Sequence, residues 1–221
     1  MPALCPHPPL APASRFPRSR SRVLLWCGRW FTAALVACYL VVAPGLRDTA
    51  RAHPHIFIDN TVEAVFSAQG LQGIRITWLF DPMTSSQYIL DLDSNGDGRL
   101  DPEEWRAIRD DIAGFLSEEQ FFLYARVNGA RVRIPTIRDF IAMFENGILS
   151  YTFFAPLSVP RGQAEVVLAV YDPSYYTDFY TAETDIRLTG APGAAQASLN
   201  DAPELAFYGG QVIPVAVRLH F

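Results

Sequence analysis

Residues 55–80 read His55-Ile-Phe-Ile-Asp-Asn-Thr-Val-Glu-Ala-Val-Phe66, then Ser67-Ala-Gln-Gly70, then Leu71-Gln-Gly-Ile-Arg-Ile-Thr-Trp-Leu-Phe80. Apolar residues recur mostly at every second position on both sides of a glycine-ended turn, and β-branched and aromatic side chains dominate, which predicts a β-hairpin. Two further hairpins follow from Asn-Gly pairs, whose residues tolerate the positive φ of tight turns. One runs 121–127, Asn128-Gly129, 130–134; the other runs 136–145, Asn146-Gly147, 148–159. Segments 164–171 and 212–221 read as additional strands, and the small, turn-prone stretch 189–203 as a loop.

One region departs from period two. Trp105, Ile108, Ile112 and Phe115 recur at helical spacing, and Asp101-Pro102 with Glu104 gives that helix a capped start. The expectation is an α+β protein: a mostly antiparallel, sandwich-like β scaffold over residues 53–221, forming one domain, with an EF-hand-like helix-loop-helix inserted at about 84–117.

Charge divides the chain at the same boundary. Of 221 residues 18 are basic, all arginine, and 23 acidic; seven of the arginines but only Asp48 among the acids precede residue 53, leaving 11 and 22 and a net charge of −11 beyond it. An acidic body of this kind disfavours nucleic acid as a partner and suits cations. The three cysteines, Cys5, Cys27 and Cys38, all lie in the first part. That part holds an arginine-rich run, the apolar stretch 30–43 and the small-x-small triplet Ala50-Arg51-Ala52. Residues 1–52 therefore read as a signal peptide cleaved after Ala52, which places the body in the periplasm. Leu35-Val36-Ala37-Cys38 offers an alternative lipoprotein box, although the chain stays apolar after Cys38.

Within the body, Asp93 to Glu104 matches the twelve-residue calcium loop. Side-chain oxygens fall at positions 1, 3, 5, 9 and 12 (Asp93, Asn95, Asp97, Asp101, Glu104), the Arg99 carbonyl is at position 7, and Gly98 occupies the sharp turn at position 6. Four carboxylates so closely spaced repel one another unless a cation neutralises them, so a structural Ca2+ is expected, and a simple helix cap is the blander alternative.

Cleavage after Ala52 would make His53 the first residue and His55 the third. In an extended segment these side chains share one side, so the two imidazoles and the terminal amine could hold Ni2+, Co2+, Zn2+ or Cu2+. Pro54 has no N–H and blocks the square-planar mode that needs two deprotonated amides. His220 and Asp172 are the candidate additional ligands. The segment 171–180, rich in tyrosine, reads as turn and core, or as the rim of a ligand site.

His53-Pro-His-Ile-Phe-Ile-Asp59, Thr77-Trp-Leu-Phe80-Asp81, the loop 93–104, Asp139-Phe140 and Tyr171-Asp-Pro-Ser-Tyr175-Tyr176 together resemble a family of uncharacterised exported proteins, a domain of unknown function. Its members are commonly described as periplasmic components of ABC-type transport systems and are sometimes associated with nickel/cobalt-type permeases. The resemblance spans residues 53–185 and implies a metal-binding accessory protein whose partner is an inner-membrane transporter subunit. Read from the residues, no nucleophile elbow, Walker loop or HExxH motif is present, and no enzyme is expected. The alternatives are a calcium-stabilised interaction module without a transition metal, and a copper oxidase built on the N-terminal histidine.

Overall fold

Alternation over residues 55–80 produces the hairpin it predicts, with strands β1 (Ile56–Ser67) and β2 (Gly70–Phe80). The computed structural model describes residues 55–162 and 164–221; the leader 1–52, its cleavage point after Ala52, and His53 lie outside the described residues. After β2 come helices α1 (Pro82–Leu92) and α2 (Pro102–Glu118). The strands β3 (Leu123–Val127), β4 (Ala130–Val132), β5 (Arg138–Glu145), β6 (Ile148–Pro160) and β7 (Glu165–Val170) follow. β8 (Thr177–Tyr180), β9 (Ile186–Thr189), β10 (Gln196–Asp201) and β11 (Val215–His220) complete the order. Both Asn-Gly pairs turn as expected, with Asn128, Gly129, Asn146 and Gly147 all at positive φ.

The strands form two sheets. The first has the order β5-β6-β2-β1-β8, and β9 also pairs with β1; the second has the order β10-β11-β7-β3-β4 and is antiparallel throughout. β8 and β9 lie end to end against the same side of β1, both parallel to it, at Ile56–Asp59 and Val62–Val65. Ile58, Val62, Ala64 and Phe66 of β1 bury on the inner face beside Ile74, Ile76 and Trp78 of β2, Phe153 of β6, Leu123 of β3, Leu168 of β7 and Leu219 of β11. Each such side chain stabilises the sandwich by about 1.5–3 kcal/mol relative to exposure. The outer face of the second sheet is covered too: Tyr171 stacks between Tyr124 and Phe207, at ring distances of 3.9 and 4.3 Å.

The α+β expectation is corrected by this architecture. Two sheets and eleven strands make the described chain a mostly β sandwich. Its two α-helices form no EF-hand unit inserted at 84–117. α1 packs on β6 and α2 on β5, with little contact between them. Ser85 fixes α1 by donating to the Phe80 carbonyl and accepting from the Leu149 N–H at 3.0 Å. Helical periodicity reports that one face is buried, but not against what, and here the partner of each helix is the sheet. The loop expected at 189–203 contains a strand, because β10 is an exposed edge held by pairing with β11 rather than by its own apolar residues. Among the described residues no helix is long and apolar enough to cross a membrane.

Asp81 joins β2 to α1. Its Oδ1 accepts from the N–H groups of Met83 and Thr84 and its Oδ2 from the Thr84 hydroxyl at 2.6 Å, with Pro82 as the first helical residue. Burial alone would raise the carboxyl pKa, but the hydrogen bonds from Thr84, Phe57 and Met83 outweigh it and hold the group below the ordinary range. A depressed folded-state pKa contributes stability above the unfolded value of about 4 and loses it as pH falls through the folded one. Asp81→Ala is thus expected to cost about 1–2 kcal/mol at neutral pH. Thermal melts of the two proteins should converge as pH is lowered below about 4, and a gap that persisted there would remove the charged cap as its cause.

Candidate functional site

The acidic loop between the helices is ordered by its own side chains. Asp93 accepts from the N–H of Gly96 at 2.7 Å and of Gly98 at 2.7 Å, Asn95 from Asp97 at 2.8 Å, and Asp97 from Arg99 at 2.9 Å. Gly98 sits at φ +79°, which a glycine adopts without strain. Asp101 caps α2 through the N–H groups of Glu103 and Glu104, and Glu104 closes the loop. One Glu104 oxygen takes the Ser94 and Asn95 N–H groups and the Ser94 hydroxyl; the other takes the Asp101 N–H at 3.0 Å. The Asp101 N–H, supported by Ser94 and Asn95 against the opposing effect of burial, holds the Glu104 carboxyl below its ordinary pKa. Among the described residues no three His, Cys, Asp or Glu side chains stand close enough together to hold a metal ion. The carboxylates instead point to the loop's own N–H groups.

The histidine candidates separate. His55 opens β1, exposed, with its N–H on the Tyr176 carbonyl at 2.8 Å and its ring 4.8 Å from the Tyr176 ring. His220 lies on β11, 4.0 Å from Glu165, and the next residue, Phe221, packs its ring 4.9 Å from Phe66 at the other end of β1. At about 3.3 Å per residue, β1 sets His55 roughly 35 Å from that end. Asp172 is near His55 but committed elsewhere. Its carboxylate accepts from the N–H of Ser174 at 2.8 Å, Tyr176 at 3.1 Å and Thr177 at 3.0 Å, and from the Ser174 hydroxyl. It is 6% exposed and organises the turn that delivers β8 to β1.

Beside that turn lies a feature that the linear sequence does not announce. The second sheet does not cover the inner face of the first at this end; α1, α2 and Phe122 do, and a cavity of about 580 Å3 remains beneath them. The sheet supplies Ile56, Ile58, Trp78, Phe80, Tyr151 and Phe179; the helices supply Tyr88, Leu92, Ile112 and Leu116. Asp91, Glu119 and Asp172 are its charged residues. Ser174, Tyr176 and Thr177 lie on its border, so part of the segment 171–180 is a rim. The alternation of β1 and of most of β2 marks the inner-face residues, but no spacing in the sequence shows which of them face a void.

A family model described as "Protein of unknown function (DUF1007)" matches residues 35–207. The chain belongs to this family. A curated relative from Spirochaeta aurantia, "Uncharacterized 15.5 kDa protein in trpE 3'region", is 29% identical over 131 residues, covering 57% of this chain and 92% of the relative. The DUF1007 match takes in the loop 93–104, Asp172 and the whole cavity lining, and stops short of β11 with His220.

Proposed function

We propose that this DUF1007 protein is an exported, calcium-stabilised binding module that acts as an accessory component of a membrane transport system, with a binding and not a catalytic role. The supporting observation is the closed loop 93–104, in which Glu104 reaches back over ten residues to Ser94. Its oxygens are of the hard kind that Ca2+ takes six to eight at a time, and holding the ion would require them to turn to it from the loop's own N–H groups. Asp93, Asn95, Asp97, Asp101, Glu104 and the Arg99 carbonyl would hold the ion. Bound there, Ca2+ would neutralise clustered charge and tie the end of α1 to the start of α2, the two helices that cover the cavity. The leader 1–52 supports the periplasmic location, and cleavage after Ala52 is checked by N-terminal sequencing of the secreted protein.

Ca2+ at about ten times its Kd should stabilise the protein by about 1.4 kcal/mol, or roughly 3–6 °C in Tm for a domain of this size. The shift should vanish in Glu104→Gln and Asp93→Asn. A Tm indifferent to millimolar Ca2+, with no calcium adduct in native mass spectrometry, would overturn the reading.

A second reading, favoured by the exposed position of His55 at the start of β1, keeps Ni2+, Co2+, Zn2+ or Cu2+ on His53 and His55 of the processed chain, for delivery to or from a transporter. It requires about one equivalent of metal on the processed protein and none on His53→Ala/His55→Ala; equal binding by the two proteins would end it.

A further inference from the structure

We propose that the 580 Å3 cavity beneath α1 and α2 is a binding site for a small, largely apolar molecule, uncharged or cationic, that carries a hydrogen-bond acceptor. The loop 93–104 contributes no side chain to the lining, so this inference goes beyond the calcium reading and does not depend on it.

Size and lining come first. Sites for small molecules are concave, mostly apolar, and of roughly 300–1,000 Å3, with a few polar groups that fix orientation. Here the walls are aromatic and aliphatic, with the Tyr151 hydroxyl and the Trp78 indole N–H among them, the second of these buried and unpaired. Tyr151 is 6% exposed and lines the cavity, so its phenol is available to a molecule bound there. Across the strand pair from it, the indole N–H of Trp78, 2% exposed, lacks a partner among the described residues. A polar group left unpaired in an apolar enclosure costs about 1–3 kcal/mol, and native proteins rarely leave one without a reason. Burial, with Tyr88 adding to it, pushes the Tyr151 phenol well above its ordinary pKa, so the group is a neutral O–H donor and calls for an acceptor.

Charge then narrows the class. Every charged residue of the lining is acidic: Asp91, Glu119 and Asp172. Asp172 is committed to the N–H groups of its own turn, which leaves Asp91 and Glu119 to set the sign at the border. No arginine lines the cavity, and an anion placed there would meet two carboxylates with no counter-charge. A cation or neutral molecule is favoured, and the aromatic faces of Trp78, Tyr88 and Tyr176 suit the former.

The test uses the processed protein and two dyes of similar size: Nile red, neutral with a carbonyl acceptor, and the anion 1-anilinonaphthalene-8-sulfonate. Nile red should bind saturably at one equivalent, with blue-shifted emission, and at least tenfold more tightly than the anion. In the Trp105→Phe background, which leaves Trp78 as the sole tryptophan of residues 53–221, binding should change the indole emission with the same midpoint. Tyr151→Phe, which removes only the hydroxyl, should weaken Nile red about tenfold. Ile56→Trp, which fills the space, should abolish binding while thermal melts report the fold. Asp91→Asn/Glu119→Gln should narrow the preference for Nile red over the anion at least fivefold. No saturable Nile red binding up to its solubility, equal affinity for the two dyes, or an affinity unchanged in Tyr151→Phe would each overturn the proposal.

Discussion

Asp172→Ala is expected to destabilise the protein by about 3–5 kcal/mol, because one buried carboxylate satisfies four donors. The N–H groups of Ser174, Tyr176 and Thr177 and the Ser174 hydroxyl all converge on it, at 2.7 to 3.1 Å. Charge-assisted bonds are the strong ones, and removing the acceptor leaves the buried Thr177 N–H unpaired and the exposed Ser174 and Tyr176 with water as the substitute. The effect spreads, because Thr177 begins β8 and β8 carries Phe179 into the cavity wall. Asp172→Asn keeps one acceptor oxygen but turns an NH2 group toward backbone N–H groups, so it should fall between wild type and alanine. Urea unfolding gives all three values. A loss under about 1 kcal/mol in Asp172→Ala would mean that the turn is held by something other than this carboxylate.

Gly70→Ala is expected to cost a similar 3–5 kcal/mol, for a purely steric reason. Gly70 sits at φ +132°, where a side chain is strained, and a Cβ there would overlap the Val159 carbonyl oxygen and lie 2.7 Å from Arg161 N and 2.8 Å from the Pro160 carbonyl carbon. All three are backbone atoms of β6 or the residue after it, and the Arg161 N–H is bonded to the Gln69 carbonyl at 2.9 Å. Relief would therefore require the edge of the hairpin to part from β6. Gly129→Ala is the control: φ is +79°, but a Cβ there meets nothing within 4 Å, so only the conformational cost of about 1 kcal/mol applies. Equal shifts in Tm for the two variants would remove crowding as the explanation.

Most strands were legible because their signals are local. The turn ending at Gly70, the two Asn-Gly pairs and the alternation around them place β1 to β6 within a few residues, and Asp101 with Pro102 and Glu104 marks the start of α2 correctly. What failed depended on partners far along the chain. β10 is a strand only because β11 lies beside it, since Gln196-Ala-Ser-Leu-Asn-Asp201 has almost no apolar residue of its own. α2 followed from the spacing of Trp105, Ile108 and Ile112, but the packing of the two helices on β5 and β6, and with it the fold class, needed the sheet order. Residues 93–104 do form one loop between the helices, where the structure turns their oxygens to the loop's own N–H groups. His220 stands apart from His55 because β11 and β1 belong to different sheets, a separation that no local spacing shows. The cavity was invisible because its lining comes from both helices, four strands and a turn, with no two neighbouring elements supplying enough of it to form a motif.

The parallel pairing of β1 with β8 and β9 bears on when this protein can acquire its shape. β1 is the first strand described, yet one of its sides stays bare until residues 177–189 arrive, and Asn60 reaches Thr181, 121 positions later, at 2.8 Å. Closing so long a loop comes late and slows folding, since local hairpins form before such distant contacts repay their entropy. A nascent chain would remain pliable until nearly all of it had been synthesised. If the chain is exported as proposed, the topology itself would act as the delay that lets it cross a membrane before it folds.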